Sequence, residues 1–409
     1  MKSRQAGLGF IFVTLVLDIL GIGIVVPIVP RLFADMLHGD LSAAAQYFGW
    51  YGGVYALMQF LCAPTLGHLS DRFGRRPVLL LALLGAGLDY LMLAVAPNVI
   101  WLFVGRIIAG IMGASLTVAT AYLADVSSPT QRAQHFGLIG TAEGVGFILG
   151  PAIGGMLSIY GVRVPFYVAA VLNLLNALYG FFVLPESLGS THRRRFSWRH
   201  TNPIAVIGTF GRSRSVSWLI AVIVITTLAY QARQSTGVIY TIYRFAWTPF
   251  QNGVLLALTG GVIAMMQMGG LRILTPYLGQ QRLVLLGLAS NIIGFILYGL
   301  ATEGWMMYAI LVGSSLGYVV MPTVLGLLTQ QIGPDEQGGI QGALTSLKSL
   351  VSIVGPVLFT SLFSNFTSTT ASISLPGMPF FVGAALFIVS LLLALRAFSQ
   401  VAPADSDGA

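Results

Sequence analysis

The stretch GHLSDRFGRRP, Gly67 to Pro77, gathers Asp71, Arg72, Arg75 and Arg76 into six residues of a 409-residue chain that is 8% charged and 56% hydrophobic. It lies between two apolar runs, each long enough to cross the roughly 30 Å hydrocarbon core of a bilayer. The charges therefore mark a short aqueous turn between two membrane helices. Gly67 and Gly74 suit such a turn, because glycine permits positive φ and close helix approach.

Working outward, polar, Pro and Gly clusters divide the remainder into twelve apolar spans, at roughly 7–30, 46–69, 77–96, 99–124, 135–159, 162–184, 216–242, 250–274, 281–300, 304–328, 338–364 and 375–397. Helices are expected in all of them. A lipid-facing backbone must satisfy its own hydrogen bonds, and a β-barrel would instead show short alternating segments. The opening MKSRQAGLGFIFVTLVLDILGIGIVVPIVP has a basic head like a secretory signal. Its apolar run is too long and no small-residue cleavage site follows, so it reads as a retained first helix. The single cysteine, Cys62, excludes an internal disulfide framework and a cysteine metal cluster.

A net charge of +8 raises the question of nucleic acid. In a membrane chain, Lys and Arg report topology, and no soluble basic domain is present to hold a duplex, so no nucleic-acid partner is expected. With both termini in the cytoplasm, 15 of the 21 Lys and Arg fall in cytoplasmic segments, three in external loops (Arg31, Arg163, Arg244) and three in the membrane. This orientation satisfies the positive-inside rule for a multi-pass protein of the cell inner membrane. The largest basic group, Arg193, Arg194, Arg195 and Arg199 with Arg212 and Arg214, lies in the one long connection.

An internal repeat supports a division there. Gly-Pro pairs occur in GFILGPAIGG, at Gly150, and in IVGPVLF, at Gly355, 205 residues apart; LSDRFGRRPVLLL and LTPYLGQQRLVLL begin at Leu69 and Leu274, again 205 apart. The expected fold is all-α: twelve transmembrane helices in two pseudo-symmetric six-helix bundles, 1–184 and 216–397, joined by a cytoplasmic linker, 185–215, and followed by a cytoplasmic tail, 398–409.

Two readings of the opening motif remain at this point. One is a topogenic basic loop facing the anionic leaflet. The sharper one is a conformational gate built from Gly67, Asp71, Arg72, Gly74, Arg75 and Arg76, whose charges hold the other half in one state and release it in the next.

GHLSDRFGRRPVLL resembles the signature loop of major facilitator transporters, LFVGRIIAGIMGA (Leu102–Ala114) their helix-4 arginine motif, and GVGFILGPAIGG the helix-5 motif of drug/proton antiporters. The likeness is closer still to the tetracycline-resistance efflux family. It is carried by LDILGIGIVVPIVP, YALMQFLCAPTLGHLSDRFGRRPVLLL, GAGLDYLMLA and VIYTIYRFAWTPFQNG, over nearly the whole chain. The resemblance implies the major facilitator fold and proton-coupled export. It assigns Gly146, Gly150, Pro151, Gly154 and Gly155 to the helix-5 motif.

Ionisable groups inside a bilayer are costly and are functional candidates by default. There are six: Asp18, Asp89, Arg106, Glu143, Arg233 and Lys348. Asp18, Asp89 and Arg106 match residues that the family carries, and the resemblance implies roles for Asp18 and Arg106 in proton or substrate handling. Gln59 and Gln267 match family glutamines and suit hydrogen bonding to a ligand. Where many relatives carry an Asp in helix 9, this chain has Asn291, and where some carry a His in helix 8 it has Ile263. An amide exchanges no proton near neutral pH, so coupling is expected at Asp18 and Glu143. Desolvation favours the protonated form of a carboxyl group, as exchange requires.

Glu143 and Lys348 each stand seven residues before a Gly-Pro pair and are related by the 205-residue repeat. They are expected to face the cavity between the halves, with Gln59, Arg106, Arg233, Gln267 and Asn291 as further substrate-cavity residues. Met265, Met266 and Met268 suit a promiscuous drug pocket or ordinary helix packing equally.

The expected function is secondary active transport: proton-coupled export of an amphipathic drug-like compound, tetracycline-like by resemblance, with a small-molecule substrate, protons and the lipid bilayer as partners and the monomer as the working unit. A proton-coupled importer or uniporter of a small metabolite shares the fold and is the alternative. A non-transporting receptor or assembly factor is the alternative of another class. No nucleophile triad, metal cluster, cofactor motif or Walker loop is visible, which argues against an enzyme or an ATP-driven pump.

Overall fold

The computed structural model describes residues 2–113, 115–128, 132–188, 214–333 and 337–400. Arg193, Arg194, Arg195, Arg199 and Arg212 lie outside them, as does the tail from 401. Among the described residues every regular element is helical. This is the outcome expected where no water is available to the backbone.

The chain forms two compact units, Met1–Pro203 with Thr241–Gly261, and Ile204–Tyr240 with Val262–Ala409. The first contains α1 (Lys2–Val25), α2 (Val29–Met36), α3 (Leu41–Phe73), α4 (Arg75–Val95), α5 (Val99–Met112), α6 (Ser115–Val126), α7 (Arg132–Leu157) and α8 (Val164–Val183). Two helices pass between the units, α9 (Arg214–Phe245) and α10 (Pro249–Met265). The second unit continues with α11 (Leu271–Leu300), α12 (Gly304–Gly313), α13 (Val320–Gln330), α14 (Gln337–Thr367) and α15 (Met378–Ser399).

Nine described stretches are long and apolar enough to cross a membrane, and ten if the bent pair Gly304–Gly313 and Ser315–Gln330 is one span. One of the nine, Pro249–Leu300, is 52 residues long and turns at Gly279, so it holds two spans; α3, 33 residues long, lies outside the nine. The set is consistent with twelve helices.

The repeat persists as backbone geometry. Gly74, between α3 and α4, has φ 109° and ψ 158°, and Gly279 has φ 72° and ψ 159°. They are 205 residues apart and hold a conformation that a side chain would strain.

Two spans read as single helices from the sequence are broken in the structure. Helix four divides at Gly113 into α5 and α6, and helix ten divides into α12 and α13 across the 3-10 turn Ser315–Val319, with a 50° bend. Gly113 and Tyr318, within these breaks, again differ by 205. Glycine and serine at both points weaken the helical ladder enough to permit a kink. Span eight departs from α-helix as well, in the π turn Met266–Gly270 between α10 and α11.

With lipid tails as apolar as leucine, packing rather than hydrophobicity holds such helices together. In the first unit α1 lies along α7. Gly146, Gly150 and Gly154 form one stripe at four-residue spacing. A methyl at Gly146 would fall 2.6 Å from the Ile19 side chain, and one at Gly150 2.6 Å from the Gly23 backbone. On the neighbouring face a methyl at Gly155 would lie 3.0 Å from Phe250, and one at Gly253 would run into the Pro151 carbonyl. Close glycine contact thus explains why Thr241–Gly261 groups with the first unit.

In the second unit α11 packs on α15 through edge-on aromatics. Phe295 of α11 lies 4.9 Å from Phe387 at 75° and 6.2 Å from Phe380 at 72°, both on α15, a geometry that the ring quadrupole favours.

Candidate functional site

In the first unit Asp89 and Arg106 form one cluster of membrane charges, and Asp18 contacts the break in helix four. Arg106 on α5 reaches Asp89 on α4 at 3.7 Å, and Asp89 is only 2% exposed. The guanidinium also sits over the rings of Tyr51 and Tyr55, 4.6 and 4.3 Å from their centroids. These tyrosines are one turn apart on α3, so one helix face supplies both cation–π contacts. Gly105 leaves room for the pair, since a methyl there would lie 2.7 Å from Asp89 Oδ1. That oxygen and Arg106 Nε are buried without a hydrogen-bond partner.

Asp18 on α1 is 8% exposed and accepts a 2.6 Å hydrogen bond from the hydroxyl of Ser115, the first residue of α6. On the other side of the break, Gln59 Nε2 donates to the Gly113 carbonyl at 2.9 Å. A carboxylate is thereby bonded to the first residue beyond the break in helix four.

The second unit brings together a different set around the break in helix ten. Tyr230 on α9 donates to the Gly317 carbonyl at 2.8 Å; Asn291 Nδ2 on α11 donates to the Tyr230 hydroxyl at 2.8 Å and to the same carbonyl at 3.3 Å. Asn291, 5% exposed, is a tie between three elements of this unit. Arg233, half-buried on α9, sits over the Tyr318 ring at 5.3 Å. The π turn, which carries exposed Gln267, packs against the turn that holds Tyr318. Glu143 on α7 and Lys348 on α14 are half-buried, and neither makes an ion pair among the described residues of its own unit.

The opening motif is a cross-braced corner of the first unit. Arg75 pairs with Asp71 at 2.5 Å and with Asp125 on α6 at 3.1 Å, and donates to the Ser70 hydroxyl at 2.6 Å. The Glu186 carboxylate accepts from the backbone N–H of Arg75 and Arg76, at 2.8 and 3.3 Å, capping the start of α4. A negative group there satisfies open amides and complements the helix dipole. Arg76 donates to the Phe181 carbonyl and lies over the Phe181 ring, while Arg72 lies over Phe73. Beside Arg75 is a cleft of about 240 Å³ bordered by Gly67, His68, Asp71 and Thr117. Arg75 and Arg76 are thus joined within their own unit to Asp125 and Glu186, which the sequence reading did not single out.

The profile described as Major Facilitator Superfamily matches residues 11–356. The chain belongs to this superfamily. It is 41% identical over 392 residues to the tetracycline resistance protein, class C, of Escherichia coli, covering 96% of each chain. It is 38% identical over 384 residues to the class G protein of Vibrio anguillarum, covering 94% of this chain and 95% of that one. The crystal structure of a bacterial homologue of the human lysosomal transporter Spinster superposes with a TM-score of 0.76 at 14% identity, covering 98% of this chain and 97% of that one. As a major facilitator the chain is a multi-pass membrane protein and a secondary transporter with a small-molecule substrate, and not an enzyme.

Several residues of these sites went unread in the facilitator's sequence: Tyr51, Tyr55, Ser115, Asp125, Glu186, Tyr230 and Tyr318. The four-residue spacing of Tyr51 and Tyr55 and the Gly–Ser composition around both breaks were the available signals.

Proposed function

We propose that this facilitator is a proton-coupled antiporter that exports an amphipathic drug-like compound across the cell inner membrane, with both termini in the cytoplasm and the monomer as the working unit. The observation that carries the reading is Asp18, a buried carboxylate hydrogen-bonded to Ser115 at the break in helix four. A proton arriving at Asp18 removes the acceptor charge that holds Ser115, and so biases the local backbone at the break. Glu143, on the helix that packs along α1, is the second coupling carboxylate. Coupling needs two conformations that bind the proton unequally, and a hydrogen bond present in one of them meets that need.

The bundles 1–184 and 216–397, linked by 185–215, act as the two bodies of alternating access. Asp71 and Arg75 form the gate, and the stripe of Gly146, Gly150 and Gly154, with Gly155 on the neighbouring face, lets α7 slide closely on its neighbours. Gln59, Arg106, Arg233, Gln267, Asn291 and Lys348 are the substrate-side polar groups. Tetracycline, named by the curated relatives, is the first compound to test.

Everted membrane vesicles from cells without native pumps test the proposal. Energised vesicles carrying the chain should accumulate tetracycline or another member of a drug panel, and an uncoupler should collapse the gradient. Accumulation that survives the uncoupler would reject proton coupling; flux only toward the cytoplasm of intact cells would favour import.

A further inference from the structure

Inside the membrane the carboxylates and the unpaired cations fall in different units. Asp18, Asp89 and Glu143 all belong to the first. From Ser187 to Thr302 the sequence contains no Asp or Glu, and the acid described in the second unit, Glu303, stands at the N-terminal end of α12. Arg233 and Lys348 belong to this second unit, and among the described residues no carboxylate lies within 4.0 Å of either.

The surroundings of Arg233 supply ring faces and hydroxyls but no compensating charge. Tyr318 stacks on the guanidinium, and the Tyr230 hydroxyl is already committed to Gly317 and Asn291. Tyr318 also belongs to a 3-10 turn, against which the π turn Met266–Gly270 packs. Non-helical backbone at membrane depth persists only where it is buried in protein or lines a cavity, and transporter sites form at such discontinuities. A π turn likewise marks functional positions more often than structural ones.

We propose that the second unit carries an anion-recognition site, centred on Arg233 and Tyr318 and bordered by these two irregular segments, that takes the carboxylate of an amphipathic aryl substrate. A guanidinium presents a planar fork that binds a carboxylate through two parallel hydrogen bonds, and its weak hydration eases entry into an apolar site. The adjoining ring accommodates the aryl body of the same ligand. The inference rests on the transporter reading and narrows its substrate to organic anions and zwitterions.

The test uses three probes of one shape and different charge: 1-naphthoate, 1-naphthamide and 1-naphthylmethylammonium. Binding to the full chain in nanodiscs is measured by calorimetry. Naphthoate should bind about tenfold tighter or more than either of the others, a difference of about 1.4 kcal/mol. Arg233→Gln should remove that preference, weakening naphthoate binding by a far larger factor than naphthamide binding, and Arg233→Lys should keep part of it. A purely structural arginine would lower all three affinities together. If Arg233→Gln does not fold, Arg233→Lys must reduce naphthoate binding by a larger factor than naphthamide binding. Naphthoate binding no tighter than naphthamide, or a preference that survives Arg233→Gln in folded protein, overturns the proposal. Uptake of tetracycline by everted vesicles, run in parallel, separates the two readings: driven uptake without anion preference retires the site alone, and anion preference without driven uptake of any compound retires export alone.

Discussion

Arg106 and Arg233 are both arginines set over tyrosine rings inside the membrane, one in each unit, over two rings and one ring respectively, and they differ in charge partner. Arg106 has Asp89 at 3.7 Å, whereas Arg233 has no carboxylate within 4.0 Å among the described residues. The comparison separates two uses of the same side chain. A paired arginine is balanced in the resting protein and serves to fix α3, α4 and α5 around the break in helix four. An arginine without a charge partner is left for a ligand to neutralise.

The largest expected effect breaks that comparison directly. Arg106→Gln strands Asp89 in low dielectric and should lower stability by about 3–5 kcal/mol. Adding Asp89→Asn should recover most of the loss. Arg233→Gln removes a cation–π contact and leaves no anion behind, so it should cost about 1 kcal/mol or less. Denaturant unfolding of the three variants in detergent measures the difference, and equal losses for Arg106→Gln and Arg233→Gln would erase it.

A second contrast concerns the repeat-related glycines. At Gly150 an added methyl meets the Gly23 backbone at 2.6 Å, whereas at Gly355 it meets the Gln231 side chain at the same distance. Backbone cannot move aside as a side-chain stem can. Gly150→Ala should therefore cost about 1–3 kcal/mol by overpacking and Gly355→Ala less. Thermal melts of the pair check the order. The smallest stability effect belongs to the gate: Asp71→Asn loosens a partly exposed ion pair and should cost under about 1 kcal/mol. Its signature is slower turnover with substrate affinity unchanged at equilibrium. Wild-type turnover would return the motif to a topogenic role.

Much of this was legible in the sequence because charge is rare in it. Asp18, Arg106, Glu143, Arg233 and Lys348 stand out in apolar runs, and the 205-residue repeat anticipated the equivalence of Gly74 and Gly279. The breaks in helices four and ten stayed hidden, because GIMGAS and GSSLGY lie inside runs hydrophobic enough to read as continuous spans. A tyrosine in such a run is equally compatible with packing, so the rings over Arg106 and Arg233 carried no signal by themselves. The role of Asn291 also required the fold. As a missing acid it pointed to lost chemistry, while its bonds to Tyr230 and Gly317 give it a structural tie that composition does not reveal.

The central claim is that proton coupling resides with the carboxylates of the first unit, through Asp18 at the break in helix four. Purified chain in proteoliposomes allows exchange of labelled substrate without a gradient to be compared with uphill accumulation driven by a pH gradient, using whichever compound the vesicle panel identifies. Asp18→Asn should keep equilibrium exchange and lose uphill accumulation. Full uphill accumulation by Asp18→Asn, with Glu143→Gln behaving the same way, would contradict the claim and move the coupling site elsewhere in the chain.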